Sequence, residues 1–500
     1  MTTPAPAPPA AGGVLGGALG GALGRIHRRL LRRGFVAHAV TLAGGTAAGQ
    51  GLVALSTPVL TRLYSPTDVG ILAVYTSVLS ILNVFAAMRY EMAIPLPEEE
   101  SDGRNLVVLC FGIVAATTLA TLAAVLVFGH YLVGFSRTPG LRPYLLLLPI
   151  SILGSGAYQT LNYWAARRKA FGVLSATKAT QSAGQVGIQI GGGLLHFGAG
   201  SLILGFIASN CLGIGSLLRR TGLSAADVSL ARIAAVARAY RNFPLYNTLH
   251  GVTNVLGFQL PPLLFARYFG TESAGQFGVT MRVLGVPSFL VGQALAQVFY
   301  ATVAEHRDEE QSRALTERVA AGLFVVSFPL YSLVALHGPY LFSLVLGGRW
   351  ETSGRYAQLM VPWFVFSFVA SPLATFVLVK GKQRAAMFVS LYETGLRVMG
   401  IWIGIRYGSA LLSVGLFAAA GTIIYVAYLG WVLRLVGTGL ARWAARMARF
   451  GASGVALVAV LWLQSRWLGP ALPLASLLLS AASLGLFLTF SWRRVARSMA

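Results

Sequence analysis

The sequence predicts an all-α polytopic membrane protein: about fourteen transmembrane helices, set as two six-helix lobes in a parallel pseudo-two-fold repeat plus two C-terminal helices. Three observations carry that fold class. Hydrophobic residues make up 56% of the 500 and charged residues only 11%, whereas a soluble domain carries roughly 25% charged residues. Apolar runs of about 20 residues, each long enough to cross a bilayer core, follow one another almost without pause. Arginine and lysine are dense in every second connection and sparse in the ones between, as a chain weaving through a membrane requires.

The elements follow in order. Residues 1–24 are rich in Ala, Pro and Gly, and Arg25, Arg28, Arg29, Arg32 and Arg33 come after them. A cleaved signal peptide has the opposite order, so 1–34 reads as a disordered, basic, cytoplasmic tail. The first lobe, 35–218, is expected to hold spans near 35–60, 70–95, 105–130, 143–166, 171–195 and 200–218. A basic, partly amphipathic cytoplasmic linker, 219–243, leads to the second lobe, 244–432, with spans near 244–266, 274–300, 319–337, 356–379, 385–406 and 409–432. Residues 433–500 add spans near 450–468 and 472–490 and a basic cytoplasmic tail.

Loop charges test this order. With the N-terminus inside, 27 of the 39 cations fall in cytoplasmic segments, 8 on the opposite side and 4 within spans (Arg89, Lys178, Arg282 and Arg397). Such a bias does not survive a wrong count, and it places both termini inside. The net charge of +24 is therefore spread over short loops, which excludes nucleic acid as a partner, since that needs a folded basic face. Cys110 and Cys211 fall inside spans and read as small apolar residues. The seven histidines stand at no metal-ligand spacing, and there is no phosphate-binding glycine loop, so neither a metal, another cofactor nor ATP hydrolysis is expected.

Arg62-Leu-Tyr-Ser-Pro-Thr-Asp-Val-Gly70 recurs in degraded form as Arg267-Tyr-Phe-Gly-Thr-Glu-Ser-Ala-Gly275. Arg62 matches Arg267, Tyr64 matches Phe269 and Gly70 matches Gly275, all at an offset of 205. The copies fall between spans 1 and 2 and between spans 7 and 8. An even separation of six spans gives both halves the same orientation, hence a parallel repeat.

Polar groups within spans are costly and point to a substrate path. Lys178, Gln181, Gln185 and Gln189 recur at steps of three and four, one helical face. Arg282, Gln293 and Gln297 share a face of span 8, and Asn247, His250 and Asn254 a face at the start of span 7. Interhelical hydrogen bonding is the competing reading for any one amide; stripes on helices of both lobes together favour a cavity lining suited to sugar hydroxyls. Arg282 lies about 12 Å along its span, at roughly 1.5 Å per residue, and its guanidinium suits a phosphate. Glu393 and Arg397 stand four apart in the favoured order for a helical pair, as consistent with a self-neutralised pair as with a site. Arg89 and Glu91 read as interfacial anchors. So few carboxylates inside the membrane favour an anionic substrate over proton or sodium exchange.

Two segments, Leu60–Pro97 and Arg282–Tyr300, and more loosely Lys380-Gly-Lys-Gln383, resemble the oligosaccharide flippases of O-antigen and exopolysaccharide synthesis, within the multidrug/oligosaccharidyl-lipid/polysaccharide exporter superfamily. The likeness covers roughly residues 35–435. It implies two six-helix lobes, alternating access, and an undecaprenyl-pyrophosphate-linked oligosaccharide moved across the bacterial inner membrane for lipopolysaccharide, capsule or exopolysaccharide, with Arg282 at a family-like position. Membrane lipids, a polysaccharide polymerase and glycosyltransferases are the partners expected beside the lipid-linked oligosaccharide. A cation-coupled multidrug exporter of the same superfamily is the alternative. A membrane-embedded polymerase or ligase is disfavoured, because the outer loops are too short to carry catalytic groups.

Overall fold

The computed structural model describes residues 44–223, 228–305, 309–379, 382–469 and 471–499. The basic tail at 1–34 and the start of the first expected span lie outside the described residues. All regular structure among the described residues is helical. The first half comprises α1 (44–63), α2 (Pro66–Asn83), α3 (Glu100–Ser136), α4 (Leu147–Arg167), α5 (Phe171–Leu194), α6 (Ala199–Cys211) and α7 (Ile214–Arg220). The short α8 (Leu230–Ala239) connects it to α9 (Thr248–Phe269), α10 (Thr271–Glu305), α11 (Glu309–Leu346), α12 (Glu351–Val379), α13 (Gln383–Arg406) and α14 (Ala410–Leu435). Finally, α15 (Leu440–Leu468) and α16 (Pro473–Met499) pack on α11.

Among the described residues, six helical stretches are long and apolar enough to cross a membrane on composition alone. Glu100–Ser136 leads them with a mean hydropathy of 2.3, and Pro473–Ser491 is the last in the chain. Others dilute their apolar faces: α5 carries Lys178 and three glutamines, α10 Arg282, α13 Glu393 and Arg397. A helix shielded by its neighbours tolerates such groups, whereas one surrounded by lipid leaves them unsatisfied.

Three boundaries differ from the sequence expectation. The span expected at 70–95 stops at Asn83, and the chain reverses through Met88 and Arg89, whose φ angles are 49° and 64°. Left-handed backbone at non-glycine residues costs about 1–3 kcal/mol each and persists only where the surroundings enforce it. Arg167 holds the segment that follows: Nη1 donates to the carbonyls of Ile94 (3.1 Å) and Pro97 (2.6 Å), and Nη2 to that of Glu99 (2.9 Å). The span expected at 319–337 continues as α11 through a kink at His337 (φ −123°) just before Pro339, which cannot supply the ladder N–H. His337 Nε2 meets Ser480 Oγ of α16 at 2.9 Å, so the kink also docks the C-terminal pair. The sixth span breaks at Gly213, whose φ of +96° and whose close approach to Thr177 suit glycine alone.

The connecting α8 lies on the first half. Ser229 caps it, the Ser229 N–H donates to Asn105 Oδ1 (3.2 Å), and Tyr90 Oη donates to the Ala237 carbonyl (3.0 Å). Its single buried side chain, Val236, joins Ala87, Ile94, Leu106 and Trp164 in a satellite core.

The halves meet mainly where α2 packs along α10 and α9. At one end of this seam a Cβ on Gly70 would overlap the Thr271 carbonyl, and a Cβ on Gly275 would overlap the Pro66 carbonyl. Pro66 and Thr271 are also 205 apart, so the two close approaches are reciprocal at the offset of the recurring segment.

Candidate functional site

Two cavities open beside the seam. The larger, about 340 Å³, is walled by α2, α4, α5 and α6 of the first half and by Val255 of α9. The smaller, about 240 Å³, lies between α1, α5 and α6 on one side and α10 on the other.

The polar stripe of α5 serves both. Lys178 and Gln181 line the larger cavity, Gln185 the smaller one. The Lys178 ammonium sits 4.9 Å from the centroid of Tyr158, and Gln181 Nε2 is anchored on the Leu212 carbonyl at 3.0 Å. Gln189, one turn on, does something else: it is buried, and its Nε2 donates to the Leu202 carbonyl of α6 at 3.0 Å. That residue joins helices and faces neither cavity.

The strained reversal after α2 delivers Arg89 to the larger cavity, facing Lys178 and Asn83, Gln159 and Asn210. The Arg89 guanidinium also lies over Gly251 of α9, where a Cβ would be 2.5 Å from Nη2. Its Nε is buried with no hydrogen-bond partner among the described residues, a donor left for a ligand or water. Among the described residues, Glu91 is the one acid lining this cavity, against two cations. Sequence reasoning took Arg89 for an interfacial anchor; the available signal was its place beside Asn83 at the end of an apolar run.

Arg282 reaches the smaller cavity. Its exposed side chain faces that space opposite Gln185 and Gln50. It is the only charged residue among the described ones that line that cavity. A cation of the second half thus converges with an amide stripe of the first.

Asn247, His250, Asn254, Glu393 and Arg397 are not brought to these walls. Asn247, His250 and Asn254 stand at the start of α9 and line neither cavity, with His250 and Asn254 exposed. Gln293 and Gln297 lie in α10, but their side chains fall outside the described ones. Glu393 and Arg397 form an ion pair at 2.7 Å inside the second half, the guanidinium 4.2 Å from Trp363 and 5.1 Å from Phe417. A buried cation matched by its own acid and boxed by two rings is already neutralised.

Apolar helices surrounding cavities that gather cations and amides define a polytopic membrane transporter. The chain belongs to the family of polysaccharide biosynthesis proteins, which residues 59–355 match; that range includes both segments of the resemblance. It is 26% identical over 352 residues to the succinoglycan biosynthesis transport protein ExoT of Rhizobium meliloti (strain 1021), 67% of either chain. It is 21% identical over 206 residues to the teichuronic acid biosynthesis protein TuaB of Bacillus subtilis (strain 168), 40% of this chain and 39% of that one. Among solved structures, the lipid II flippase MurJ in an inward closed conformation superposes with a TM-score of 0.65 at 12% identity, covering 92% of this chain and all of that one. An inward-facing multidrug resistance MATE family transporter gives 0.58 at 14% identity, with 79% and 94% covered. At these identities the structures establish a shared fold.

Proposed function

We propose that this protein is a flippase, not an enzyme, and that it carries an undecaprenyl-pyrophosphate-linked oligosaccharide from the cytoplasmic to the periplasmic leaflet of a bacterial inner membrane by alternating access. The observation that carries this reading is the pair of cavities with Arg89, Lys178 and Arg282 in their walls among amides and hydroxyls. A pyrophosphate and its sugars must be hidden from hydrocarbon while the polyprenyl tail stays in lipid. Guanidinium groups offer paired donors to phosphate oxygens, and amides replace the water lost from sugar hydroxyls. A cationic drug would meet repulsion at the same walls.

In this reading α1–α6, with α7 extending the sixth span, and α9–α14 are the two six-span lobes, related by a parallel pseudo-two-fold. The reciprocal Gly70 and Gly275 contacts support that symmetry. α15 and α16 complete fourteen spans, and both termini lie in the cytoplasm, as the loop charges favour. The headgroup site then belongs to both lobes, with Arg89 and Lys178 from the first and Arg282 from the second. Polymerase and glycosyltransferases would act on the same lipid-linked substrate on either side of the step.

A deletion strain is expected to accumulate lipid-linked repeat units on the cytoplasmic side and to lose surface polysaccharide. Normal polysaccharide output from that strain would sink the proposal.

A further inference from the structure

The two repeat arginines each cross the seam. Arg62 Nη2 donates to the Leu344 carbonyl of α11 at 3.2 Å, and Arg267 Nη1 donates to the Phe135 carbonyl of α3 at 2.6 Å. Leu344 and Phe135 lie in the last turns of α11 and α3, the third long helices of their halves. Last-turn carbonyls have no partner within their own helix and carry the negative end of its dipole, so a guanidinium meets there both a free acceptor and a favourable field. Between the two arginines lies the self-matching Gly70 and Gly275 contact. Two more bonds cross at the same end: Trp350 Nε1 to the Thr61 carbonyl (2.8 Å) and Thr271 Oγ1 to Thr138 Oγ1 (3.3 Å).

We propose that Arg62 and Arg267 are paired latches that hold the lobes shut at this end, and that the repeated motif is the closure of the periplasmic gate. The orientation rests on the transport reading; the latches themselves do not. Parting the lobes here breaks both bonds at once, because each arginine and its acceptor belong to different lobes.

The latches are unequal. Arg267 has the shorter bond and also lies 4.7 Å from the Phe135 ring centroid and 5.3 Å from that of Tyr268. Arg62 is exposed, and its bond is longer. Arg267 therefore contributes the larger share of closure.

The test uses purified full-length protein with Cys110→Ala and Cys211→Ala, spin-labelled through Gly134→Cys and Gly348→Cys, two exposed positions where a Cβ meets open space. Pulsed dipolar spectroscopy without substrate is expected to give one narrow distance distribution. Arg267→Ala shifts part of that population to longer distances, Arg62→Ala shifts less, and the double variant shifts most. Arg267→Lys, which keeps the charge but loses the planar fork, falls between wild type and Arg267→Ala and covers the case in which the alanine variant misfolds. An unchanged distribution in the double variant, or a shift for Arg62→Ala as large as for Arg267→Ala, overturns the proposal. Because no substrate enters the measurement, its failure is separable from failure of the flippase reading, which the deletion strain tests.

Discussion

Alanine at Gly70 is the perturbation the seam should feel most sharply. The new methyl would overlap the Thr271 carbonyl oxygen and stand 2.8 Å from the carbonyl carbon, where ordinary contact begins at 3.4 Å. α2 and α10 must therefore separate by more than about 0.6 Å at the carbon, and further at the oxygen. The obstacle is backbone, so no rotamer change relieves it. Overpacking of this kind costs about 1–3 kcal/mol, against a gain of roughly 0.5–1 kcal/mol from replacing glycine within a helix. With backbone on both sides the upper end applies, leaving a net loss of about 2 kcal/mol. Gly275→Ala should cost the same, because its methyl would meet the Pro66 carbonyl and stand 2.8 Å from the Gly70 nitrogen. Gly278→Ala, one turn along α10, is the control: its nearest neighbour would be Ala73 Cβ at 3.7 Å, so stability should hold or rise slightly. Thermal unfolding in detergent, read by loss of the monodisperse peak, orders the three variants. If Gly70→Ala and Gly275→Ala melt with wild type, or separate widely from each other, the reciprocal contact is not what joins α2 to α10.

Arg282→Ala should insert normally and lower transport by roughly two orders of magnitude or more, whereas Arg282→Lys keeps part of it, since each charged hydrogen bond lost is worth about 1.5–3 kcal/mol. Full polysaccharide export in the alanine variant would remove Arg282 from the site. Arg397→Ala should destabilise the protein by about 3–5 kcal/mol, because it leaves Glu393 of α13 without its partner; the double change Glu393→Gln with Arg397→Gln should melt closer to wild type, and equal melting of the single and double variants would argue against a self-neutralised pair.

Much of the fold was legible because its signals are local. Apolar length marks a helix that can span, whatever surrounds it, and the family likeness rested on contiguous residues such as Arg62–Gly70. The pairing of Glu393 with Arg397 was equally legible, since one turn of helix fixes it. The reversal at Met88 and Arg89 was not: the apolar run continues past Asn83 to Met88 in the sequence, and the segment after the bend is held by three carbonyl bonds from Arg167, far away along the chain. The candidate site was half legible. Spacing put Lys178, Gln181, Gln185 and Gln189 on one face, but spacing does not say what that face meets.

From the sequence came an apolar, many-helix chain, the uneven spread of its cations between apolar runs, a nine-residue segment recurring at an offset of 205 and a shortage of acids within those runs. Each follows from composition or spacing along the chain, and needs no knowledge of neighbours. Tertiary structure alone decided that Gln189 is taken up by a backbone carbonyl while Gln185 faces Arg282 across a cavity, and that Arg89 is a cavity cation. It also decided that the segments around Gly70 and Gly275 touch each other, with Arg62 bonded to Leu344 and Arg267 to Phe135. The reason is that a helix face acquires its role only when another helix is laid against it, and where α2, α5 and α10 lie against their neighbours is set by the packing of the whole bundle.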